Sequence, residues 1–152
     1  MRATVWTSLM TAAAAGVGSL GTDPESEWYQ SIEKPSWQPP PVAFPLVWTP
    51  LYVAIAYGTG RIVDKGRPEE RRGLLALTAA DLVANAGWNW AFFRGRSPAG
   101  GLAVIAVLNA LNAALVRRAA MVDGRAAAAL LPYAAWVGFA TALNGSIWRR
   151  NR

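Results

Sequence analysis

Five long apolar segments, separated by polar connections, restrict the folds open to this chain of 152 residues. They lie at residues 4–20, 44–63, 73–93, 99–122 and 126–148. A helix needs about 20 apolar residues to cross a bilayer, with a range of about 17–25. Hydrophobic residues make up 53% of the chain and charged residues only 16%. The sequence therefore predicts an all-α membrane protein, a single domain over residues 1–152 in which five transmembrane helices form a bundle.

The first apolar segment has a second interpretation, as a cleaved signal peptide. Arg2 precedes an alanine-rich run that ends in small residues between Gly16 and Gly21, and signal sequences share this pattern. Such a cleavage would leave four helices. Trp6 and several polar residues interrupt the run, and they favour a helix that is retained.

Basic side chains lie mostly in and beside the connections. The N-terminus and the second and fourth connections account for nine Lys and Arg residues, against six for the other side and the C-terminus. The positive-inside rule then places the N-terminus inside and the first connection outside. We assign the net charge of +6 to lipid head groups and topology, with no nucleic acid partner.

The chain contains no cysteine and no histidine. Disulfides, thiolate chemistry and Cys-bound metals are therefore excluded. The commonest general base and the commonest metal ligand are missing as well. We expect no metal site, and acid–base catalysis is poorly supported.

Polar side chains share one face of the third apolar segment. Asp81, Asn85 and Trp88 follow one another at helical spacing, and Asn112 lies in the middle of the fourth segment. A carboxyl group at membrane depth costs about 2.5–3.5 kcal/mol on insertion scales, so Asp81 should face the bundle interior. For Asp81 a hydrogen-bond network between helices is favoured. For Asn85 such a network and the wall of a ligand pocket both remain open.

The fifth segment carries one aromatic and polar stripe, made of Tyr133, Trp136, Ala140 and Asn144. Trp136 lies about 18 Å along the helix from Trp148, so it is well inside the predicted span rather than at its end. This position favours a pocket wall over an interfacial belt for Trp136.

The first connection is rich in proline and aromatic residues. Prolines at five positions (Pro35, Pro39, Pro40, Pro41 and Pro45) make it stiff and largely non-helical. Trp28, Tyr29 and Trp37 offer ring faces and polar donors to a planar ligand. The alternative is an interfacial aromatic belt joined by a proline linker, and the composition does not choose between the two.

Two alanine ridges, at positions 76, 80 and 84 and at positions 106, 110 and 114, suit close helix packing inside the bundle or between two copies of the chain.

Several motifs together resemble the TspO/MBR family, the translocator proteins once called peripheral benzodiazepine receptors. They are WY-x-x-I-x-KP-x-W-x-PP at residues 28–40, F-x-x-VWTxLY-like at 44–52, W-x-x-x-FF at 88–93, and LPY-x-x-W-x-x-FAT-x-LN at 131–144. The resemblance covers nearly the whole chain. It implies a five-helix membrane bundle, commonly a homodimer, with a pocket that the first connection closes.

The same resemblance implies ligands and site residues. Family ligands are porphyrins such as protoporphyrin IX and haem, cholesterol in animal members, and synthetic benzodiazepine or isoquinoline compounds. The positions that match the family's pocket are Tyr29, Trp48, Asn85, Phe92 and Trp136. Trp37 matches a loop tryptophan linked to porphyrin binding. No Tyr lies between Leu143 and Arg149, so the animal cholesterol motif is incomplete here.

These implications lead to three functional hypotheses for a multi-pass protein of a bacterial cell envelope. The first is transport, sensing or scavenging of porphyrins, with the porphyrin as ligand and no required cofactor. The second is light-dependent porphyrin degradation through Trp48 and Trp136, which match a tryptophan pair associated with that reaction. The third, a channel for small solutes, is disfavoured because these two bulky side chains would block a continuous pore.

Overall fold

Helices form nearly all of the structure in the computed structural model, which describes residues 2–152. Five are long: α1 (Arg2–Gly21), α3 (Ala43–Lys65), α4 (Arg71–Asn89), α5 (Pro98–Val122) and α6 (Gly124–Arg150). A short helix, α2 (Glu27–Ser31), lies in the connection between α1 and α3. A 3₁₀ turn (Pro68–Glu70) precedes α4, and a π turn (Trp90–Arg94) follows it. No strand occurs between residues 2 and 152.

The long helices begin one or two residues before the five apolar segments, and at α5 and α6 a polar capping residue lies just outside the apolar run. At the start of α5, the Ser97 hydroxyl accepts a hydrogen bond of 2.8 Å from the Gly100 amide. At the start of α6, the Asp123 carboxylate accepts one of 3.0 Å from the Arg125 amide. Such caps satisfy amides that have no partner within the helix. Hydropathy alone therefore places the helix starts too late.

The segment predicted as one helix over residues 73–93 changes its winding near its end. Within the π turn, the Gly95 amide donates to the Trp90 carbonyl at 2.7 Å, and the Ser97 amide donates to the Phe92 carbonyl at 3.2 Å. Both bonds reach back five residues instead of four, which widens the turn. Phe92 is almost completely buried in this turn, with 2% of its surface exposed.

Close contacts between α1 and α3 hold one side of the bundle together. The buried Thr7 hydroxyl donates a hydrogen bond of 2.8 Å to the Ala56 carbonyl of α3. Near it, Gly60 approaches α1 so closely that an added Cβ would lie 2.7 Å from Thr4 Cα. The other long helices pack as α1 on α4, α3 on α6, and α5 on both α4 and α6. The five helices thus enclose a common interior.

The outer surface of the bundle is apolar. Trp6 on α1, Leu46 on α3 and Val83 on α4 are exposed by 63%, 69% and 71% respectively. Large apolar side chains exposed on three helices at once indicate contact with a membrane or another protein. Among the helices of residues 2–152, α5 and α6 are long and apolar enough to cross a bilayer by length and composition alone. The prediction assigned that property to five segments. The difference arises because the mean hydropathy is lowered by Thr, Ser, Gly and Trp in α1, by Gly, Pro and aromatic residues in α3, and by polar residues in α4.

An ion cluster ties the end of α3 to the connection between α5 and α6. The Asp123 carboxylate accepts a hydrogen bond from the Arg61 guanidinium and lies 2.9 Å from the Lys65 ammonium. Its side chain is only 8% exposed. The hydrogen bond from Lys65, together with the Arg125 amide and Arg61, lowers the pKa of Asp123 to about 2 from its ordinary value of 3.8.

We expect the Gly60→Ala variant to be less stable than the wild type. Overpacking against the Thr4 backbone costs about 1–3 kcal/mol, which exceeds the gain of about 1 kcal/mol from replacing Gly by Ala in a helix. Thermal unfolding in detergent measures the difference. Gly138→Ala in α6 is the matched control, because an added Cβ there meets nothing within 4 Å. Equal midpoints for the two variants would contradict the close approach of α1 and α3.

The Asp123 cluster predicts a loss of stability in acid. Because the folded protein holds the ionised carboxylate more strongly than the unfolded chain does, the stabilisation is complete above the ordinary pKa and is lost as the pH falls toward about 2. We expect the unfolding midpoint to fall more steeply between about pH 4 and about pH 2 in the wild type than in Asp123→Asn. Asp123→Asn keeps a side-chain oxygen that can cap α6. If the unfolding midpoints of the two proteins fall equally with pH, the ion cluster is not the cause of the acid sensitivity.

Candidate functional site

A cavity of about 710 Å³ lies inside the bundle, beneath the connection between α1 and α3. The connection contributes Tyr29, Lys34 and Gln38 to its lining. The helices contribute mostly apolar and aromatic side chains, among them Phe44, Trp48, Tyr52, Trp88, Phe92, Ile105, Leu108, Trp136 and Ala140. Ligand pockets commonly have volumes of about 300–1,000 Å³ and apolar walls with a few polar groups. The cavity has both properties.

Two indole side chains line the cavity from different helices. Trp48 of α3 stacks on Tyr52 with ring centroids 5.3 Å apart, and its edge contacts Tyr133 at 6.2 Å. Trp136 of α6 packs against Phe44 at 6.1 Å. These ring contacts hold both indoles in place, which leaves their remaining surfaces available to a bound molecule.

A second aromatic cluster joins the connection to the π turn. Phe92 stacks on Trp88 with centroids 5.0 Å apart and meets Trp28 of α2 edge-on at 5.6 Å. Tyr29, also of α2, packs against Phe93 at 5.1 Å. The helix α2 begins where the Ser26 hydroxyl accepts a hydrogen bond from the Tyr29 amide. This cap therefore helps to direct two aromatic side chains toward the π turn.

A hydrogen-bond network lies behind the cavity wall, and its member Asn85 lines the cavity. The Tyr133 hydroxyl donates to Asp81 Oδ1 at 2.8 Å, and Asn112 Nδ2 donates to Asp81 Oδ2 at 3.1 Å. Asn85 Nδ2 donates to the Tyr133 oxygen at 2.9 Å. Asp81 and Tyr133 are fully buried, so the network joins α4, α5 and α6 in the interior. Asp81 thus takes part in a hydrogen-bond network between helices, as predicted. Asn85 belongs to this network and also lines the cavity.

A second polar contact lies farther along the cavity wall. Trp88 Nε1 donates to Asn144 Oδ1 at 2.8 Å, and Asn144 Nδ2 donates to the Pro98 carbonyl at 2.8 Å. A Cβ at Gly101 would lie 2.6 Å from Asn144 Oδ1, so only glycine leaves room for the contact. The indole of Trp88 is thereby fixed in orientation.

The connection lies over the cavity and is stabilised by polar contacts among its own residues, and we call residues 22–42 the lid. The Lys34 ammonium donates to the Tyr29 carbonyl and, at 3.0 Å, to the Ile32 carbonyl, and it lies 4.5 Å from the centre of the Tyr29 ring. Gln38 Nε2 donates to the Tyr29 hydroxyl at 3.1 Å. Burial raises the pKa of Tyr29, and the bond from Gln38 partly offsets this effect. The phenol therefore stays neutral at physiological pH.

The C-terminal end of α6 clamps the lid from outside. The Glu33 amide donates to Asn151 Oδ1 at 2.8 Å, and Asn151 Nδ2 donates back to the Glu33 carbonyl at 2.8 Å. Asn151 Nδ2 also reaches the Ile147 carbonyl at 2.8 Å. Arg150 adds an ion pair of 3.8 Å with the Glu33 carboxylate. One amide side chain thus joins the lid to the last turn of the bundle.

Five of the six site residues implied by the sequence lie together around the cavity, namely Tyr29, Trp48, Asn85, Phe92 and Trp136. The structure places Trp37 elsewhere. Its ring packs edge-on against Phe139 at 5.9 Å, and 48% of its surface is exposed. Gln38 lines the cavity instead. Trp37 lies in a turn that the hydrogen bond from the Gln38 amide to the Pro35 carbonyl closes at 3.1 Å, and its ring points away from the cavity there.

The sequence profile of the TspO/MBR family matches residues 6–149, nearly the whole chain. The chain belongs to the TspO/MBR family. This result confirms the resemblance that the motifs indicated. Members of the TspO/MBR family are membrane proteins, which agrees with the apolar outer surface of the bundle.

Named relatives come from bacteria and animals. A "Tryptophan-rich protein TspO" of Chlorobaculum tepidum is 34% identical over 141 residues, which cover 91% of this chain and 89% of that protein. The "Tryptophan-rich sensory protein" of Cereibacter sphaeroides is 35% identical over 125 residues, which cover 82% and 77%. The human "Translocator protein" is 34% identical over 126 residues, which cover 82% and 75%.

Sequence reasoning missed several residues that shape this TspO/MBR cavity. The sequence pattern assigns no site role to Lys34, Gln38 or Asn151. Nothing in the local pattern pairs Glu33 with Asn151, because the two residues are 118 positions apart in the chain. The helical spacing did indicate that Trp88 faces the bundle interior, because it shares a helical face with Asn85 and Asp81.

We expect Asn151→Ala to loosen the lid. The substitution removes both hydrogen bonds to the Glu33 backbone, and each contributes about 0.5–1.5 kcal/mol. Together they amount to about 1–3 kcal/mol, so hydrogen–deuterium exchange over residues 28–42 should become roughly five- to 150-fold faster. Arg149→Ala is the control, because this side chain is exposed at the same end of α6. Unchanged exchange in Asn151→Ala would show that the clamp does not hold the lid.

Proposed function

We propose that this protein binds porphyrins such as protoporphyrin IX or haem inside a membrane and acts in their transport, sensing or scavenging. The observation that carries the proposal is the cavity of about 710 Å³ with indoles on two walls and a proline-stiffened lid. A planar, largely apolar molecule of porphyrin size suits such a space, because aromatic walls bind ring faces and polar edges can meet the lid.

The lid adds polar groups at the cavity entrance. The Lys34 side chain lines the cavity, and it suits an acidic group on a porphyrin edge. Gln38 also lines the cavity, where its amide nitrogen donates to the Tyr29 hydroxyl. The polar edges of the porphyrin would thus lie beneath the lid, and its apolar ring would lie between Trp48 and Trp136.

A multi-pass location in a bacterial cell envelope belongs to the same proposal. The bulky apolar side chains on the outside of α1, α3 and α4 support contact of all five long helices with lipid. Within α4, the buried Asp81 and Asn85 face the interior rather than the lipid. Low mean hydropathy of this helix is therefore compatible with a membrane span.

Assembly as a homodimer is also proposed. Ala76 and Ala80 on α4, and Ala106 and Ala110 on α5, are exposed on the surface of the single chain. Small residues at a spacing of four permit close approach of helices in a membrane. Synthetic benzodiazepine or isoquinoline compounds are proposed as further ligands of the cavity, because they too combine flat apolar rings with few polar atoms.

Light-dependent degradation of the bound porphyrin is the second candidate function. Trp48 and Trp136 both line the cavity, so both indoles would lie beside an illuminated ligand. Photochemistry of this kind requires neither His nor Cys, and the chain has neither. The reaction would therefore be compatible with a site that lacks the usual acid–base groups.

A titration with protoporphyrin IX tests the proposal. We expect tryptophan fluorescence of the detergent-solubilised protein to be quenched in the dark at micromolar ligand. Trp48→Phe and Trp136→Phe should each bind roughly two- to twelvefold more weakly, because an aromatic pair contributes about 0.5–1.5 kcal/mol. Trp6→Phe is the control, since Trp6 lies on the outer surface. Absence of quenching would refute porphyrin binding.

Illumination of the same complexes separates the two candidates. Loss of the porphyrin spectrum that disappears in both cavity variants and persists in Trp6→Phe would support degradation. A stable spectrum under light would leave transport, sensing or scavenging as the function.

A further inference from the structure

A groove of about 800 Å³ lies on the outside of the bundle between α1 and α3. Its lining residues differ from those of the cavity beneath the lid. Helix α1 contributes mostly apolar side chains and α3 contributes charged and aromatic ones, among them Val5, Leu9, Ala12, Tyr57, Arg61 and Lys65. Val5 and Leu9 are more than half exposed, so the groove opens toward lipid when the protein lies in a membrane.

The groove has a charged end and an apolar end. Thr4 lies at the charged end, because its hydroxyl donates to the Asp64 carboxylate at 3.4 Å. Arg61 and Lys65 belong to the same end, since α3 ends there at Lys65. Ala12 lies eight residues beyond Thr4 along α1, a distance of about 12 Å. The groove therefore runs from the end of the bundle toward its middle and becomes less polar on the way.

Arg61 and Lys65 keep hydrogen-bond donors that the Asp123 carboxylate does not use. Asp123 accepts from Nε and one terminal nitrogen of Arg61, and it lies 2.9 Å from the Lys65 ammonium. A guanidinium has five N–H donors and an ammonium has three, so a single carboxylate engages only part of them. The Asp123 side chain is almost buried, whereas 51% of the Lys65 side chain is exposed. The basic groups rather than Asp123 therefore line the groove.

The acidic residue of the groove, Asp64, interacts with the start of α1. Its Oδ1 accepts a hydrogen bond of 3.2 Å from the Ala3 amide, and its Oδ2 accepts the bond from Thr4. A carboxylate in this position offsets the positive end of the helix dipole. The N-terminus and the second and fourth connections hold nine Lys and Arg residues but only four Asp and Glu residues. The surroundings of the groove therefore favour an anion.

Tyr57 lies between the charged end and the apolar end. The Arg61 guanidinium lies 5.4 Å from the centre of the Tyr57 ring, which orients it along the groove. Tyr and Arg side chains are typical of the depth at which lipid head groups meet acyl chains. Leu9 and Ala12 follow on the apolar side. The order of charged, aromatic and apolar groups matches the order of phosphate, glycerol and acyl chain in a phospholipid.

We propose that the groove between α1 and α3 is a binding site for one anionic phospholipid. Its phosphate accepts charge-assisted hydrogen bonds from Arg61 and Lys65. One acyl chain lies against Leu9 and Ala12. A head group with a net negative charge is preferred to a zwitterionic one, because basic residues are in excess at this end of the bundle. The site is separate from the cavity, so it does not depend on porphyrin binding.

Titration with two phospholipids tests the preference for an anion. The probes are phosphatidylglycerol and phosphatidylcholine with the same acyl chains, and native mass spectrometry of the detergent-solubilised protein gives the dissociation constant of the first bound lipid. We expect the wild type to bind phosphatidylglycerol roughly three- to tenfold more tightly than phosphatidylcholine.

Substitutions at the charged end test the contact with the phosphate. Lys65→Gln should weaken phosphatidylglycerol binding roughly two- to fivefold, whereas Lys65→Arg should keep the wild-type affinity because it keeps the charge. Arg72→Gln is the matched control, since it removes the same charge from an exposed position of α4 that does not line the groove. It should leave the affinity close to that of the wild type.

Substitutions at the apolar end test the contact with the acyl chain. Ala12→Phe fills the groove, so it should weaken phosphatidylglycerol binding roughly three- to tenfold. Ala13→Phe is the matched control, because it adds the same bulk at the next position of α1, which does not line the groove. Both alanines are exposed, so neither substitution disturbs the interior of the bundle.

Three results would overturn the proposal. Equal losses in Lys65→Gln and Arg72→Gln would show that lipid responds only to the overall surface charge. Equal affinities of Ala12→Phe and Ala13→Phe would show that no acyl chain lies in the groove. Displacement of phosphatidylglycerol by an equal concentration of glycerol phosphate would show that the site recognises a free phosphate group rather than a lipid.

Discussion

A carboxyl group that pairs with no basic side chain of residues 2–152 is buried where three helices meet. Asp81 of α4 receives hydrogen bonds from Tyr133 of α6 and Asn112 of α5. Burial of such a group is costly unless its hydrogen bonds are made, so this contact favours one arrangement of the three helices over others. The Asn85 amide joins the same network and faces the cavity. The contacts that satisfy Asp81 thus also shape the site.

Lid and pocket wall come from one continuous stretch of sequence. Proline-rich backbone between α2 and α3 cannot form regular helix, and it crosses the bundle instead of extending it. The following residues enter α3, where Trp48 and Tyr52 form a wall of the cavity. The clamp by Asn151 closes the lid from the far end of the chain. Ligand entry would then require only local opening of residues 22–42 rather than separation of the long helices.

The positions of helices and aromatic wall residues were accessible to sequence reasoning because they depend on local rules. The lengths of the apolar segments predicted the five long helices, and helical spacing placed Asp81, Asn85 and Trp88 on one face. The motifs identified the family. The orientation of the Trp37 side chain could not be predicted in this way, because a loop residue belongs to no periodic pattern that fixes which way its side chain points. The contact between Asn151 and Glu33 could not be predicted either, because it joins residues that are far apart in the chain.

Residue types and their spacing are enough to identify an apolar, all-helical protein of the TspO/MBR family, and the lack of His and Cys limits the chemistry that its cavity can carry out. The packing of the helices sets which side of the lid faces inward, where the π turn buries Phe92, and which atoms Asp81 contacts. The physical reason is that hydropathy and spacing act within one helix. The direction of a hydrogen bond or the side chosen by a loop depends on which atoms of other segments are near.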